Sequence, residues 1–178
     1  MVRNPRDSQR VMAWCVDSIL TLIYRGYQSA IGREDLENRI YEHAKKLGVS
    51  KKKAYRMIYD LKRREYIAIS TNDSVVLTNK AKIKVIDAIV NNNRKDGKYR
   101  LISFDIPEIM RVERNHFRRT IKRMGFRQVQ QSLWVSDKNI GDLVDAAAKE
   151  YKVSSYVSYF IADASNIDRH IARVLKAS

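Results

Sequence analysis

Ser50-Lys51-Lys52-Lys53-Ala54-Tyr55-Arg56-Met57-Ile58-Tyr59-Asp60-Leu61-Lys62-Arg63-Arg64-Glu65 carries two patterns at once. Ala54, Met57 or Ile58, and Leu61 recur at helical spacing, so one face is apolar and can dock on a core. The rest of the surface carries Lys51, Lys52, Lys53, Arg56, Lys62, Arg63 and Arg64. Leu47-Gly48-Val49 reads as a tight turn after an earlier helix, and Ser50 as the N-cap of the basic one. A helix, a glycine-containing turn and a basic helix are the pattern of a helix-turn-helix that enters the DNA major groove. The plainer alternative is an ordinary solvated helix face; the flanking segments support the DNA reading.

Upstream, Val11, Cys15, Ile19, Leu22 and Ile23 repeat at helical spacing, and Gly26 follows where a helix would stop. A second helix is expected from about Arg33 to Leu47, with Leu36, Ile40, Ala44 and Leu47 inward. Glu34 and Asp35 open it and Lys45 and Lys46 close it, in keeping with the helix dipole. Downstream the period changes. Tyr66-Ile67-Ala68-Ile69-Ser70 and Val75-Val76-Leu77 are rich in strand formers, and Thr71-Asn72-Asp73-Ser74 between them is turn chemistry. Two short strands directly after the basic helix form a wing. Thr78 then caps a helix through Ala81, Val85, Ile86 and Ile89. Residues 1–90 are thus expected to be a winged helix-turn-helix domain, and the polar stretch 91–98 a linker.

The second half has another rhythm. Tyr99 to Asp105 reads as a strand ended by Pro107, and Arg111 to Met124 as a helix with Phe117, Ile121 and Met124 inward. Arg127 to Gln130 and Ser132 to Ser136 read as a hairpin, Ile140 to Tyr151 as an amphipathic helix, and Tyr156 to Ala162 as a strand. The order βαββαβ is the ferredoxin-like motif. A last short helix, about Asn166 to Leu175, closes residues 99–178. The fold class is α+β.

The chain has 178 residues, with 35 Lys+Arg against 20 Asp+Glu and a formal net charge of +15. The excess is shared: residues 1–90 hold 18 basic and 10 acidic side chains, and residues 91–178 hold 17 and 10. Such a charge attracts polyanions, nucleic acid first. At 44% hydrophobic the chain can bury cores and is no disordered basic tail. Cys15 is the only cysteine, which excludes an intrachain disulfide and a Cys-based zinc site, and its apolar neighbours suggest a buried thiol. His43, His116 and His170 lack metal-ligand spacing. No signal peptide or membrane span is evident, so a cytoplasmic protein with no membrane partner is expected.

Leu101-Ile102-Ser103-Phe104-Asp105-Ile106-Pro107-Glu108, then Arg111, Arg114, Phe117-Arg118 and Met124-Gly125-Phe126, then Val129-Gln130-Gln131-Ser132-Leu133-Trp134-Val135 carry a resemblance over roughly residues 99–162. They resemble the second of the two core CRISPR adaptation proteins, Cas-two. They equally resemble the Cas-two-like central domain of the phenylacetate-pathway repressor family, PaaX. The first ninety residues resemble the N-terminal winged helix of the PaaX family, including Val49-Ser50 and Val76-Leu77-Thr78-Asn79-Lys80. The chain is expected to be too short for that family's C-terminal domain.

The resemblance implies a homodimer formed through the ferredoxin-like domain, and a transcriptional repressor that occupies double-stranded DNA without chemistry or cofactor. Ser50, Lys51, Lys52, Lys53, Tyr55 and Arg56 would enter or border the major groove, and Lys62, Arg63 and Arg64 would hold phosphates. Asn72 and Asp73 mark the wing tip. Arg111, Arg114, Arg118 and Lys122 form one stripe along the first helix of the second domain, as a phosphate surface or a solvated face. Trp134 belongs to the core or a dimer interface rather than to a stacking platform. Under the Cas-two alternative, Asp105 from two subunits would hold Mg²⁺ for an endonuclease, with Glu108 assisting and a CRISPR integrase as partner. The opposing role for Asp105 is to cap a turn and fix its loop. A third alternative is a nucleoid or replication accessory protein that binds DNA without sequence preference.

Overall fold

The computed structural model describes residues 16–21, 23, 24, 31–46, 48, 50–69, 74–91 and 95–176. The protein is mixed α+β and divides into two compact units between Val85 and Ile86. Among the described residues no helix is long and apolar enough to cross a membrane.

In the first unit, residues 16–21, 23 and 24 are helical (α1). They are followed by β1 (Ile31–Gly32), α2 (Arg33–Lys46), α3 (Lys51–Arg63), β2 (Ile67–Ile69), β3 (Ser74–Leu77) and α4 (Asn79–Lys84). Ile19, Leu20, Leu36, Ile40, Ala54, Met57, Leu61, Ile67, Val75 and Ala81 form its core. The turn before α3 is made by Gly48, which sits at φ +68° and donates its N–H to the Lys45 carbonyl at 3.0 Å. That left-handed conformation suits glycine. The strands are antiparallel in the order β1-β3-β2, with Ile67 opposite Leu77 and Ile69 opposite Val75. α3 ends without a glycine. Glu65 takes φ +59°, and the N–H groups of Glu65 and Tyr66 return to the Lys62 and Leu61 carbonyls, closing the last turn. Thr78 caps α4 as expected: its Oγ1 accepts from the Ala81 N–H at 3.2 Å and donates to the Glu65 carbonyl at 2.7 Å. The expected long helix after Thr78 is instead broken at Val85 (φ −101°, ψ 16°), and α5 (Ile86–Val90) opens the second unit. The break falls in Ile83-Lys84-Val85-Ile86, where three β-branched side chains weaken helix propensity.

The second unit continues with β4 (Tyr99–Phe104), a 3-10 turn (Glu108–Met110), α6 (Arg111–Arg123), β5 (Arg127–Gln128) and β6 (Leu133–Ser136). Then come α7 (Gly141–Glu150), β7 (Val157–Ala162) and α8 (Asp168–Lys176). The sheet is antiparallel, in the order β5-β6-β4-β7. One face carries Ile102, Phe104 and Trp134 against the helices, and Phe104 meets Phe117 of α6 edge to face at 5.4 Å. α6 and α7 are tied by Thr120 Oγ1 and the Tyr151 hydroxyl at 2.9 Å. Val135 points to the opposite face from Trp134 and is fully buried, because α8 packs there against β5 and β6 and buries Ile171. Beyond α8 that second face lies open along β7, where Phe160 is 52% and Tyr156 39% exposed.

Residues 95–98 are pinned to the second unit by ion pairs. Lys95 meets Asp137 at 2.6 Å, Lys98 meets Asp163 at 3.2 Å, and Asp96 meets the buried Arg100.

Candidate nucleic-acid interface

α3 turns Ala54, Met57 and Leu61 into the core. The same rotation exposes Lys51, Lys52, Lys53, Arg56, Lys62, Arg63 and Arg64, with Tyr55 at 48% and Tyr59 at 67% exposure. Asp60 is the one acid in the helix, and it pairs with Arg63 at 3.2 Å. Lys52, Lys53, Arg56, Lys62 and Arg64 have no carboxylate partner among the described residues. Lys51 lies over the rings of Tyr41 and Tyr55 at 5.5 and 5.9 Å, held by cation–π attraction that leaves its charge intact. Ser50, Lys52, Lys53, Arg56 and Asp60 line an open depression of about 460 Å³. Ser50 does occupy the N-cap position, but its hydroxyl makes no cap bond, so that part of the sequence expectation is corrected. Ser50 is exposed at this end of the helix, where the dipole and the unbonded first-turn N–H groups favour an anion such as a phosphate. Asn72 and Asp73 lie outside the described residues.

The stripe on α6 is split by its partners. Arg114 donates to Glu108 at 2.6 Å and to the Ile106 carbonyl at 3.2 Å, and its side chain is only 24% exposed. Arg111 reaches Glu108 at 3.7 Å. The Arg114 guanidinium holds the Glu108 carboxyl below its usual range; burial opposes it, and Arg111 adds a weaker pull in the same direction as Arg114. Glu108 thus fastens the turn before α6 to the first turns of the helix. Arg118 and Lys122 lie over the Trp134 ring at 5.8 and 5.7 Å and keep their charge. Trp134 is core, 1% exposed and stacked on Phe104 at 6.3 Å.

Asp105 is exposed at the end of β4, and its N–H donates to the Tyr156 carbonyl at 3.1 Å. Its carboxylate makes no bond with any described residue; the neighbouring loop is fixed by Arg114 instead. Asp105 shares an open depression of about 620 Å³ with Arg114, Arg118, Gln131 and Ser132. Within one subunit this depression offers a single carboxylate beside two guanidiniums, so the Mg²⁺ expectation requires Asp105 of a second subunit. Among the described residues no three His, Cys, Asp or Glu side chains are grouped to hold a metal. His116 packs on Tyr151 at 5.6 Å.

Arg100 was not visible from the sequence as anything but a strand residue. It is 2% exposed, its bond to Asp96 raises its pKa, and its Nε and Nη1 are within hydrogen-bond geometry of no described residue. The Arg100 guanidinium holds the Asp96 carboxyl below the usual range, and burial opposes it. A lowered carboxylate pKa adds stability above the unfolded value, near pH 4, that is lost as pH falls through the folded value. Asp96→Asn is therefore expected to lower the urea midpoint at pH 7 and to flatten its fall in acid. Parallel curves from pH 2 to 7 would contradict the linkage.

No curated protein and no solved structure matches the chain. Residues 92–174, from the start of the polar stretch through most of α8, match the family model of the PaaX protein central Cas2-like domain, so the second unit is similar to that domain.

Proposed function

We propose that this protein is a PaaX-like transcriptional repressor: a cytoplasmic homodimer that occupies double-stranded DNA, without a cofactor. In this reading the first unit is a winged helix-turn-helix and the second a ferredoxin-like dimerisation domain. The observation that carries it is the concentration of uncompensated cations on α3, the helix that follows the Gly48 turn and precedes a β-hairpin. Lys52, Lys53 and Arg56 would meet the groove, and Lys62 and Arg64 the phosphates. The sheet order of the second unit and its similarity to the PaaX central domain support the rest. The open face at Phe160 and Tyr156 supplies apolar surface that a second copy would cover by two-fold symmetry, presenting two recognition helices to two half-sites.

The test is binding to genomic fragments, the protein's own promoter among them, with and without Mg²⁺, followed by inspection of the DNA for cuts. Tight binding to one palindromic site on intact DNA is the expected result. Equal affinity for every fragment would make it a non-specific DNA-coating protein. Mg²⁺-dependent cleavage that disappears in Asp105→Ala would make it an enzyme of the Cas2-like kind.

A further inference from the structure

We propose that α8 carries a second DNA contact, in which Arg169, Arg173 and Lys176 grip backbone phosphates without reading sequence. The inference rests on the DNA-binding reading above and adds a surface to it.

Arg169, Arg173 and Lys176 are all exposed, and they recur at steps of four and three. Helical geometry gathers them into an arc of roughly 60°. Ile171 lies on the other side of the helix, fully buried against the sheet. The stripe is therefore held outward by a packed element and is not a floppy tail.

The charges on it are uncompensated. Asp168 is the only acid in α8, and its carboxylate is occupied in accepting the Ser165 N–H at 2.8 Å. No described residue offers the three cations a carboxylate. Elsewhere in the same unit, pairing is common. Lys95, Lys98, Arg100, Arg114, Arg123 and Lys149 each meet an acid within 3.2 Å. Like charges three and four apart on a helix repel. Arg118 and Lys122, which also lack an acid, lie over the Trp134 ring. The α8 stripe has neither acid nor ring among the described residues and is kept against that repulsion, which points to an external polyanion.

Two polyanions compete, and the burial of Ile171 separates them. An amphipathic helix binds a bilayer by inserting its apolar face, and here that face is already spent on β5 and β6. A duplex asks only for the cationic face. From Arg169 to Lys176 the helix rises about 10 Å, comparable to about three phosphate steps along one strand. Contacts of this kind position a protein and do not specify a base.

The test uses the full chain carrying Arg169→Gln, Arg173→Gln and Lys176→Gln. Binding to a site duplex and to a scrambled duplex is titrated across salt concentration. The slope of log Kobs against log salt is expected to become shallower by about two to three. Both duplexes should weaken by the same factor, so that their ratio is unchanged. Arg173→Gln alone should reduce the slope by about one, which covers the case of a misfolded triple variant. Lys149→Gln removes a cation already paired with Asp145 at 2.7 Å, and should leave the slope alone. A wild-type slope in the triple variant overturns the proposal while sparing the DNA-binding reading. So does a changed ratio between the duplexes, or a loss confined to phosphatidylglycerol vesicles. If the wild-type protein binds no duplex at all, both fall together.

Discussion

Lys52→Glu combined with Arg56→Glu is expected to leave the protein folded and to weaken its binding to duplex DNA by at least about thirtyfold. A contact to a phosphate or a base edge is worth about 1–3 kcal/mol, so the pair carries roughly 2–6 kcal/mol, at about 1.4 kcal/mol per tenfold. Both side chains are exposed and neither has a carboxylate partner among the described residues, so removing them breaks no ion pair there. An acid at position 52 lies in the first turn of α3, where the helix dipole favours it. Loss of binding with an unchanged melting curve would thus report on the interface and not on folding. Arg63→Gln is the matched comparison: its charge is answered by Asp60 at 3.2 Å, and its effect should be much smaller. Equal affinity for DNA in the wild type and the charge-reversed pair would remove α3 from the interface.

That helix was legible because its information is local. The period of Ala54, Met57 and Leu61 sets which face is buried, and everything cationic follows from it. Gly48 marked the turn, and Thr78 marked the start of α4, because both act on backbone within a few residues. Partners that do not share a helical period were not legible. Arg114 shares a face with Arg118, yet Glu108, in the turn before the helix, claims its charge. Arg100 looked like any strand residue, because nothing in the alternation of β4 says that its guanidinium will be buried and answered by the exposed Asp96. Helix ends are legible where a glycine marks them. Gly48 turns the chain at φ +68° after α2, whereas Glu65 and Lys152, which do so at φ +59° and +57°, carry no such mark. The charges of α8 were countable from the start, but their meaning depends on which acids are absent around them in three dimensions.

Trp134→Ala is expected to cost the second unit about 3–5 kcal/mol, the usual range for deleting a buried aromatic ring. The ring is 1% exposed, stacked on Phe104, which in turn packs on Phe117. Removing it takes from Phe104 one of its two ring neighbours and leaves Arg118 and Lys122 without the face they lie over. Against a domain stability of about 5–15 kcal/mol, a loss of that size shifts the urea midpoint far and unfolds a fraction of the protein at rest. Trp134→Phe separates packing from polarity. The indole Nε1 is buried with no hydrogen-bond partner among the described residues, so no bond is lost with it. Leaving a buried donor unpaired costs about 1–3 kcal/mol, and losing it offsets much of the smaller ring's missing volume. The Phe variant should therefore retain most of the wild-type midpoint. A Phe variant as unstable as the Ala variant would mean that Nε1 has a partner that matters. An Ala variant as stable as wild type would mean that Trp134 is not the keystone of this sheet face.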